Sequence, residues 1–276
     1  MLPHERWFVQ LHPNLQLFES ATNNVSYVAM NMQRPPLDDI RVRRAIIAAI
    51  NQEAITKIAY QGHAEPAAGP LPPMQWPALK DVAKRYNVDL ARALLSQASL
   101  ANAHELRPPL RLYIPSQPRA YLLDPERVAF MIQAELAEVG IEVEVVAQPF
   151  AQHVASVERG EHDLCLLGWV GDNGDPDNFL FGHFASAGAD PPHPRNFAFL
   201  RDPELDKLLL DGQATALQQT RVTLYQQAQQ RISALAPWVP LAHSRYVVAL
   251  RADWHGVVLT PTGHVIYSLL HRVELP

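Results

Sequence analysis

The stretch IEVEVVAQPFAQHVASVERGEHDLCLLGW, residues 141–169, decides the fold class. Residues 141–148 alternate Ile or Val with Glu, which is the two-residue period of a half-buried β-strand. Residues 150–159 follow a helical pattern, and residues 163–169 form an apolar strand pattern. A strand, a helix and a strand in this order predict two parallel strands joined by a crossover helix.

Two further elements precede this unit and extend it. Residues 110–114 have an apolar strand pattern, and residues 125–139 carry apolar residues at helical spacing. The chain from residue 110 to residue 169 is therefore predicted to be β-α-β-α-β. This succession is typical of an α/β fold, in which helices cover a sheet that contains parallel strands.

The N-terminal part predicts one strand and one long helix. Residues 24–31 (NVSYVAMN) are rich in β-branched and aromatic residues and predict a strand. Two prolines then break the chain, and Asp38 or Asp39 can cap a single helix over residues 40–59. The first thirty residues predict no other element.

The remaining elements end in strands that have no helices to cover them. The prediction comprises an irregular proline-rich segment at 66–77, helices at 89–98, 203–210 and 218–235, and strands at 239–250, 257–259 and 264–270. Strands near Tyr27 and Val247 are therefore expected to present unpaired edges or an apolar face. This expectation belongs to the hypothesis that the chain is part of a larger protein.

The composition excludes several classes of protein. Of the 276 residues, 48% are hydrophobic and 18% are charged, which is typical of a globular chain with a sizeable core. The 23 basic and 28 acidic residues give a formal net charge of −5, which argues against nucleic acid or anionic lipid as a partner. The single cysteine, Cys165, excludes an internal disulfide and lies in an apolar strand as a core residue. We expect no secretory signal at residues 1–6 and no membrane span.

The sequence contains no recognised catalytic or metal-binding motif. GxSxG, HExxH and CxxC are absent, as is a phosphate-binding glycine loop. The alternate acids Asp172, Asp175 and Asp177 suggest a calcium loop, but the sixth-position glycine and the distal glutamate of such a loop are missing. We therefore predict a binding protein that is not an enzyme and that uses no metal or cofactor.

Four segments resemble a known family, and they do so in the family's order. They are residues 24–31 followed by PPLDDIRVRRAIIAAINQEAI (35–55), YQGHAEPAAGPLPPMQW (60–76), GWVGDNGDPDNF (168–179) and, more weakly, LYQQAQQRISALAPWVPLAH (224–243). The chain resembles the dipeptide- and oligopeptide-binding proteins of ABC transporters, solute-binding protein family 5, and is closest to their dipeptide-binding branch. The resemblance implies the C-terminal half of a type II periplasmic-binding-protein fold, a mixed α/β sheet flanked by helices, with strands from the hinge and the second lobe.

The same resemblance implies a division of the chain and a missing part. Family members are about twice as long as this chain, so the N-terminal lobe is expected to be largely missing. Residues 1–31 would be the remnant of that lobe and a hinge strand, residues 32–237 the ligand-binding lobe, and residues 238–276 the return to the hinge and first lobe. Cysteines that the dipeptide branch often carries are replaced here by Ser186 and Arg201.

The predicted ligand site follows from the resemblance and from the chemistry of a zwitterion. A dipeptide presents an ammonium and a carboxylate whatever its side chains are, and a guanidinium matches a carboxylate in bidentate geometry. By resemblance, Asp172 holds the ammonium and Arg119 the carboxylate. Taken alone, Asp172 could equally be a turn residue, Arg119 a solvated loop arginine and Trp169 a core aromatic. The complete predicted site is Asp172, Arg119, Trp169, Tyr121, Gly171 and Asn173.

The resemblance predicts an extracytoplasmic receptor for import. It would capture dipeptides or short oligopeptides between two lobes in the periplasm, as a monomer, and deliver them to an ABC permease of the inner membrane. Two alternatives remain. The same fold could bind haem, nickel or an antimicrobial peptide, or the chain could be a non-transporting single-lobe remnant or regulatory module.

Overall fold

The computed structural model describes residues 5–79, 86–98 and 108–273. Its strands are β1 (Leu15–Ala21), β2 (Asn24–Met30), β3 (Ala64–Pro66), β4 (Leu110–Pro115), β5 (Val143–Gln148), β6 (Leu164–Val170), β7 (Trp238–Arg251), β8 (Trp254–His255) and β9 (His271–Arg272). Its helices are α1 (Arg6–Leu11), α2 (Ile40–Ala49), α3 (Gln52–Ile58), α4 (Val88–Gln97), α5 (Pro125–Glu138), α6 (Phe150–Glu158), α7 (Asp177–Phe184), α8 (Pro203–Ala214) and α9 (Gln218–Leu235). None of these helices is both long and apolar enough to cross a membrane.

Seven strands form one mixed sheet in the order β1-β7-β2-β6-β4-β5, and β3 pairs with β7 off this path. Strand β4 is parallel to both β5 and β6, whereas β2 is antiparallel to β6 and to β7. The prediction of a β-α-β-α-β unit with parallel strands is confirmed. The crossover helices α5 and α6 make this possible, because parallel neighbours cannot be joined by a tight turn.

The sheet has an apolar core on each face. Successive residues of a strand point to opposite faces, so neighbouring residues of β6 enter different cores. Leu164 and Leu166 pack in one core with α2 and α5, and Cys165 and Leu167 pack in the other with α7 and α9. Cys165 is fully buried, and burial raises the pKa of its thiol far above the ordinary value. This position agrees with its prediction as a core residue.

The helix predicted over residues 40–59 is in fact two helices. Asp39, one of the two caps that the sequence predicted, caps α2 by accepting a hydrogen bond from the Arg41 amide at 2.8 Å. The chain becomes extended at Ile50, and the Asn51 side chain then caps α3 by accepting from the Ala54 amide at 3.0 Å. An asparagine side chain competes with helical hydrogen bonding, which explains why it begins a new helix here.

Both ends of the chain differ from the prediction. The first thirty residues contain α1 and β1 as well as β2. The strands predicted at 257–259 and 264–270 are absent, and only a single bridge joins Leu259 to Val265. The turn between them is held by Thr260, whose hydroxyl accepts a hydrogen bond from the His264 amide at 3.0 Å. Side-chain bonding of this kind satisfies the backbone locally and competes with a ladder.

The expectation of unpaired strand edges is wrong for Tyr27. Strand β2 pairs with β6 on one side and β7 on the other, and every residue in it is buried. For Val247 the expectation is confirmed in part. Beyond Ser244, β7 pairs with β1 along one edge, and its other edge has no strand partner among the described residues. On the paired edge, Val247 lies opposite Glu19 of the missed strand β1.

Candidate functional site

Two loops leave the sheet at the same edge. The arginine loop, residues 116–122, follows β4, and the aspartate loop, residues 171–176, follows β6. Because β4 and β6 are parallel neighbours, their carboxyl ends lie together, which is where open α/β sheets bind ligands. All six residues of the predicted site belong to these two loops or to the end of β6.

Arg119 is half-buried and makes its contacts with aromatic rings. The centre of its guanidinium lies 3.8 Å from the centroid of the Phe150 ring at the start of α6. Its backbone exchanges hydrogen bonds with Leu122 at 2.8 and 2.9 Å, which closes the loop. None of the described carboxylates forms an ion pair with Arg119 within 4.0 Å. The guanidinium is therefore oriented without being neutralised.

Tyr121 is buried beneath the arginine loop. Its ring occupies the space above Gly168, where a β-carbon would lie 2.3 Å from the tyrosine Cδ2. Burial raises the pKa of the Tyr121 hydroxyl, although the charge of Arg119 and a hydrogen bond from it act in the opposite direction. The Tyr60 hydroxyl donates to the Tyr121 carbonyl at 3.0 Å and holds the loop from below.

The aspartate loop begins at a position that admits only glycine. The Gly171 amide donates to the Asn23 carbonyl at 2.7 Å, and a β-carbon on Gly171 would lie 2.3 Å from the Asn23 side-chain nitrogen and 2.5 Å from Phe179. The Asn23 side chain donates in turn to the Asn173 carbonyl at 2.7 Å. Asn173 thus contributes its backbone to the fold of the loop, and its exposed side-chain oxygen accepts from the Asp175 amide at 2.9 Å.

Asp172 is exposed and keeps its carboxylate largely free. Its amide donates to the side-chain oxygen of Asn178 at 3.2 Å, and the Asn178 side-chain nitrogen donates back to Oδ2 of Asp172 at 3.3 Å. The same Asn178 oxygen accepts from the Trp169 indole at 2.8 Å. Asn178 therefore orients Asp172 and Trp169 together. Within the described residues, no Lys, Arg or His forms an ion pair with Asp172.

The other two acids of this segment have structural partners. Asp175 forms a two-pronged ion pair with Arg221 of α9, with distances of 2.8 and 2.9 Å. This pairing raises the pKa of Arg221 further above its ordinary value. Asp177 accepts hydrogen bonds from Gln213 at 3.0 Å and from the Tyr225 hydroxyl at 3.2 Å. No cluster of three or more potential metal ligands occurs among the described residues.

Trp169 combines features of a pocket wall and of a core residue. It is half-buried and stands edge-on to His183, with 4.9 Å between ring centroids. His183 lies between Trp169 and Trp238, and its complete burial lowers its pKa to about 4, so the imidazole is neutral near pH 7. The guanidinium of Arg195 lies 5.6 Å from the Trp169 ring centroid.

Both loops are attached to one place, the junction between β1 and β2 where it meets β7. Ser244 of β7 donates from its hydroxyl to the Ala120 carbonyl at 2.7 Å, and its backbone exchanges bonds with the Asn24 side chain at 2.9 Å. Asn23 holds Gly171 and Asn173 as described above. Sequence reasoning did not identify Asn23, Asn24 or Ser244. The available signal was the presence of polar residues within or directly beside apolar strands, where burial requires partners.

The two positions assigned to lost cysteines lie close together. The Arg201 guanidinium donates to the Ser186 carbonyl at 3.3 Å, and the Ser186 hydroxyl accepts from the Asp202 amide at 3.2 Å. Arg201 also pairs with Asp190 at 2.6 Å. Polar contacts therefore join the two segments that carry the replaced cysteine positions.

Comparisons with known proteins agree on one family. Residues 2–191 match the bacterial extracellular solute-binding proteins, family 5 (middle region). The chain is 36% identical over 258 residues to a probable di/tripeptide-binding protein 5 of Pseudomonas aeruginosa, covering 92% of this chain and 47% of the relative. It is 33% identical over 253 residues to heme-binding protein A of Haemophilus influenzae, covering 91% of this chain and 45% of the relative. The chain thus spans about half the length of the curated relatives it matches.

A solved structure with the same architecture is a dipeptide-binding protein from Pseudoalteromonas in complex with Met-Leu. The TM-score is 0.86 at 26% identity, and the match covers 98% of this chain and 52% of that one. The fold is accordingly that of type II periplasmic binding proteins, as the sequence predicted.

Proposed function

Because this chain belongs to the family 5 bacterial extracellular solute-binding proteins, we propose that it carries the zwitterion-binding part of a receptor for dipeptides or short oligopeptides. The receptor delivers its ligand to a membrane ABC permease and works outside the cytoplasmic membrane, as a monomer and without catalysis. Within it, we propose residues 32–237 as the ligand-binding lobe, between the hinge and first-lobe segments at 1–31 and 238–276.

The observation that carries the proposal is a pair of opposite charges left without ion-pair partners on adjacent loops. Asp172 and Arg119 are both oriented, one by Asn178 and the other by Phe150, and neither is neutralised by a described residue. The neighbouring Asp175 is fully paired with Arg221. The two acids therefore differ: Asp175 is neutralised by Arg221, whereas Asp172 is free to bind an ammonium group.

The remaining predicted residues support these two charges. Trp169 is half-buried and supplies apolar surface beside Asp172, where a peptide side chain would lie. Tyr121 is buried and supports the arginine loop from beneath. Gly171 and Asn173 supply the backbone geometry that presents Asp172 to solvent. Such a site binds the two ends of a peptide and makes no specific contact with its side chains. It can therefore accept peptides of many different sequences.

A calorimetric titration with L-alanyl-L-leucine tests the proposal. We expect saturable binding to the wild-type chain and a loss of about 30-fold or more in Asp172→Asn, because removing one partner of a desolvated charge pair costs about 2–5 kcal/mol. Asp89→Asn is the matched control, since Asp89 is fully solvated on α4. An N-acetylated dipeptide, which lacks the ammonium, should bind as weakly to the wild type as the free dipeptide binds to Asp172→Asn.

Two outcomes would contradict the proposal. Equal affinity of the wild type and Asp172→Asn for the dipeptide would remove the ammonium role of that carboxylate. Saturable binding of haemin without any dipeptide heat would assign the chain to the other ligand class named among its relatives.

A further inference from the structure

A second cation, Arg195, lies beside the proposed peptide site. Its side chain is exposed, and the centre of its guanidinium lies 5.6 Å from the centroid of the Trp169 ring. The Trp169 indole is joined in turn to Asp172 through the side chain of Asn178. Arg195 is not one of the six residues of the predicted site, and it lies in the segment between α7 and α8. The proposed binding of the two peptide ends makes no use of this positive charge.

The guanidinium of Arg195 has no counter-charge among the described residues. Apart from Arg119, each of the other described arginines forms an ion pair or donates to a backbone carbonyl. Arg201, in the same segment as Arg195, shows this usual arrangement, since it pairs with Asp190 at 2.6 Å. The two arginines that lack such a partner in the described part of the chain therefore both lie at the proposed site.

The backbone of Arg195 is held in place although its side chain is exposed. The amides of Arg195 and Asn196 both donate to the Gly188 carbonyl, at 2.8 and 2.9 Å. The Asn196 side chain is fully buried and donates to the Ala185 carbonyl at 3.1 Å. The guanidinium can therefore move only as far as its own side chain allows, and it stays close to Trp169.

The position of Arg195 relates it to the first side chain of a bound peptide. Under the proposed function the ammonium lies at Asp172, and the α-carbon that carries the ammonium also carries the first side chain. Trp169 supplies apolar surface beside Asp172, and Arg195 borders that surface. The peptide carboxylate lies at Arg119 and leaves Arg195 unpaired. A second carboxylate, at the end of the first side chain, would match the free guanidinium in bidentate geometry.

We infer that Arg195 gives the site a preference for peptides whose first residue is acidic, either glutamate or aspartate. This inference rests on the proposed function, because that function places the peptide ammonium at Asp172. It extends the function by adding one charged contact to the two that bind the peptide ends. Peptides with an uncharged first side chain are still accepted, and those with an acidic one bind more tightly.

Calorimetric titrations with L-glutamyl-L-leucine and freshly dissolved L-glutaminyl-L-leucine at neutral pH test the inference. The two dipeptides have nearly the same shape, and only the first carries a charge on its side chain. We expect the glutamyl peptide to bind about fivefold more tightly, a difference of about 1 kcal/mol, which is the upper value for an ion pair exposed to solvent. The preference should shrink in about 1 M salt, where charges are screened beyond about 3 Å.

Three variants separate a charge contact from a structural role. Arg195→Gln should weaken the glutamyl peptide about fivefold and leave the glutaminyl peptide unchanged. Arg195→Lys keeps the positive charge and should retain most of the preference. Arg159→Gln is the matched control, because it removes the same charge from an exposed arginine at the opposite end of α6 from Phe150. It should leave both affinities unchanged.

Equal affinity of the wild type for the two dipeptides, with saturable binding of both, would overturn the inference and leave the proposed function intact. An equal loss for both dipeptides in Arg195→Gln would also overturn it, because the guanidinium would then act only by supporting the Trp169 ring. If the wild type binds neither these dipeptides nor L-alanyl-L-leucine, the proposed function fails and the inference fails with it.

Discussion

Replacing Gly168 by alanine should destabilise the protein strongly. Gly168 lies in β6 opposite Ser26 of β2. An alanine β-carbon would lie 2.3 Å from Cδ2 of Tyr121 and 2.4 Å from the carbonyl oxygen of Val25. Comfortable contacts require about 3.5 Å, so both neighbours would have to move by about 1 Å. The tyrosine can rotate, but the carbonyl belongs to the backbone of a strand that is paired on both sides.

We therefore expect Gly168→Ala to lower the free energy of unfolding by about 3 kcal/mol, at the upper end of overpacking effects. Urea denaturation followed by circular dichroism measures this directly. Gly174→Ala is the control, because nothing lies within 4 Å of its β-carbon, and it should change stability by less than about 0.5 kcal/mol. If Gly168→Ala unfolds at the wild-type urea concentration, the close packing of the arginine loop on β6 is incorrect.

Two further predictions concern pH and the aspartate loop. Three histidines have their pKa lowered to about 4 by burial, and they are His153, His162 and His183. The unfolded chain binds a proton on each of these histidines below about pH 6.5, whereas the folded chain does so only below about pH 4. Between these two pH values, each histidine should therefore raise the free energy of unfolding by about 1.4 kcal/mol for each unit of pH increase. Burial raises the pKa of Glu135 to about 7, so the folded chain keeps that proton longer than the unfolded chain. Because this carboxyl is only partly buried and solvent screens it, it offsets one histidine in part. The free energy of unfolding should therefore be higher at pH 6 than at pH 5, by about 3 kcal/mol, and a lower stability at pH 6 would contradict this sign. Arg221→Lys keeps the positive charge but loses the bidentate contact with Asp175. It should lower the free energy of unfolding, measured by urea denaturation, by about 1–2 kcal/mol. The exposed pair of Arg159 with Glu161 supplies the control, since Arg159→Lys should leave stability unchanged, and an equal loss in both variants would refute a special role for Arg221.

Local patterns in the sequence were sufficient for most of the fold. The strands and helices between residues 110 and 170 were predicted within one or two residues, and Gln218–Leu235 was predicted with its observed bounds. The elements between residues 110 and 170 have recognisable periodicities, and Asp124 caps α5, which are properties of the chain itself. The strand β1 was missed because its residues are mostly half-buried and do not alternate cleanly between apolar and polar.

The contacts that organise the site could not be predicted in the same way. The Asp175–Arg221 pair and the Ser244–Ala120 bond join residues that are far apart in the chain. A sequence pattern records neither distance in space nor which of several acids will be neutralised. The resemblance to a family identified Asp172 among the acids of its loop, and the structure supplies the physical difference between Asp172 and Asp175. The binding roles of the six site residues stay predictions.

The common attachment of the two loops has a consequence for peptide length. Ser244 lies in β7 and Asn23 directly precedes β2, so a displacement of this junction carries Asp172 and Arg119 together and preserves their separation. Under the proposed function, the fixed separation of Asp172 and Arg119 determines how far apart the two charged ends of a bound peptide can be. One additional residue extends a chain by about 3.5 Å, and accommodating it would require breaking a bond at the junction or releasing one end. Selection by length would then be a property of two hydrogen-bonded strands, and would operate before any side chain of the peptide is recognised.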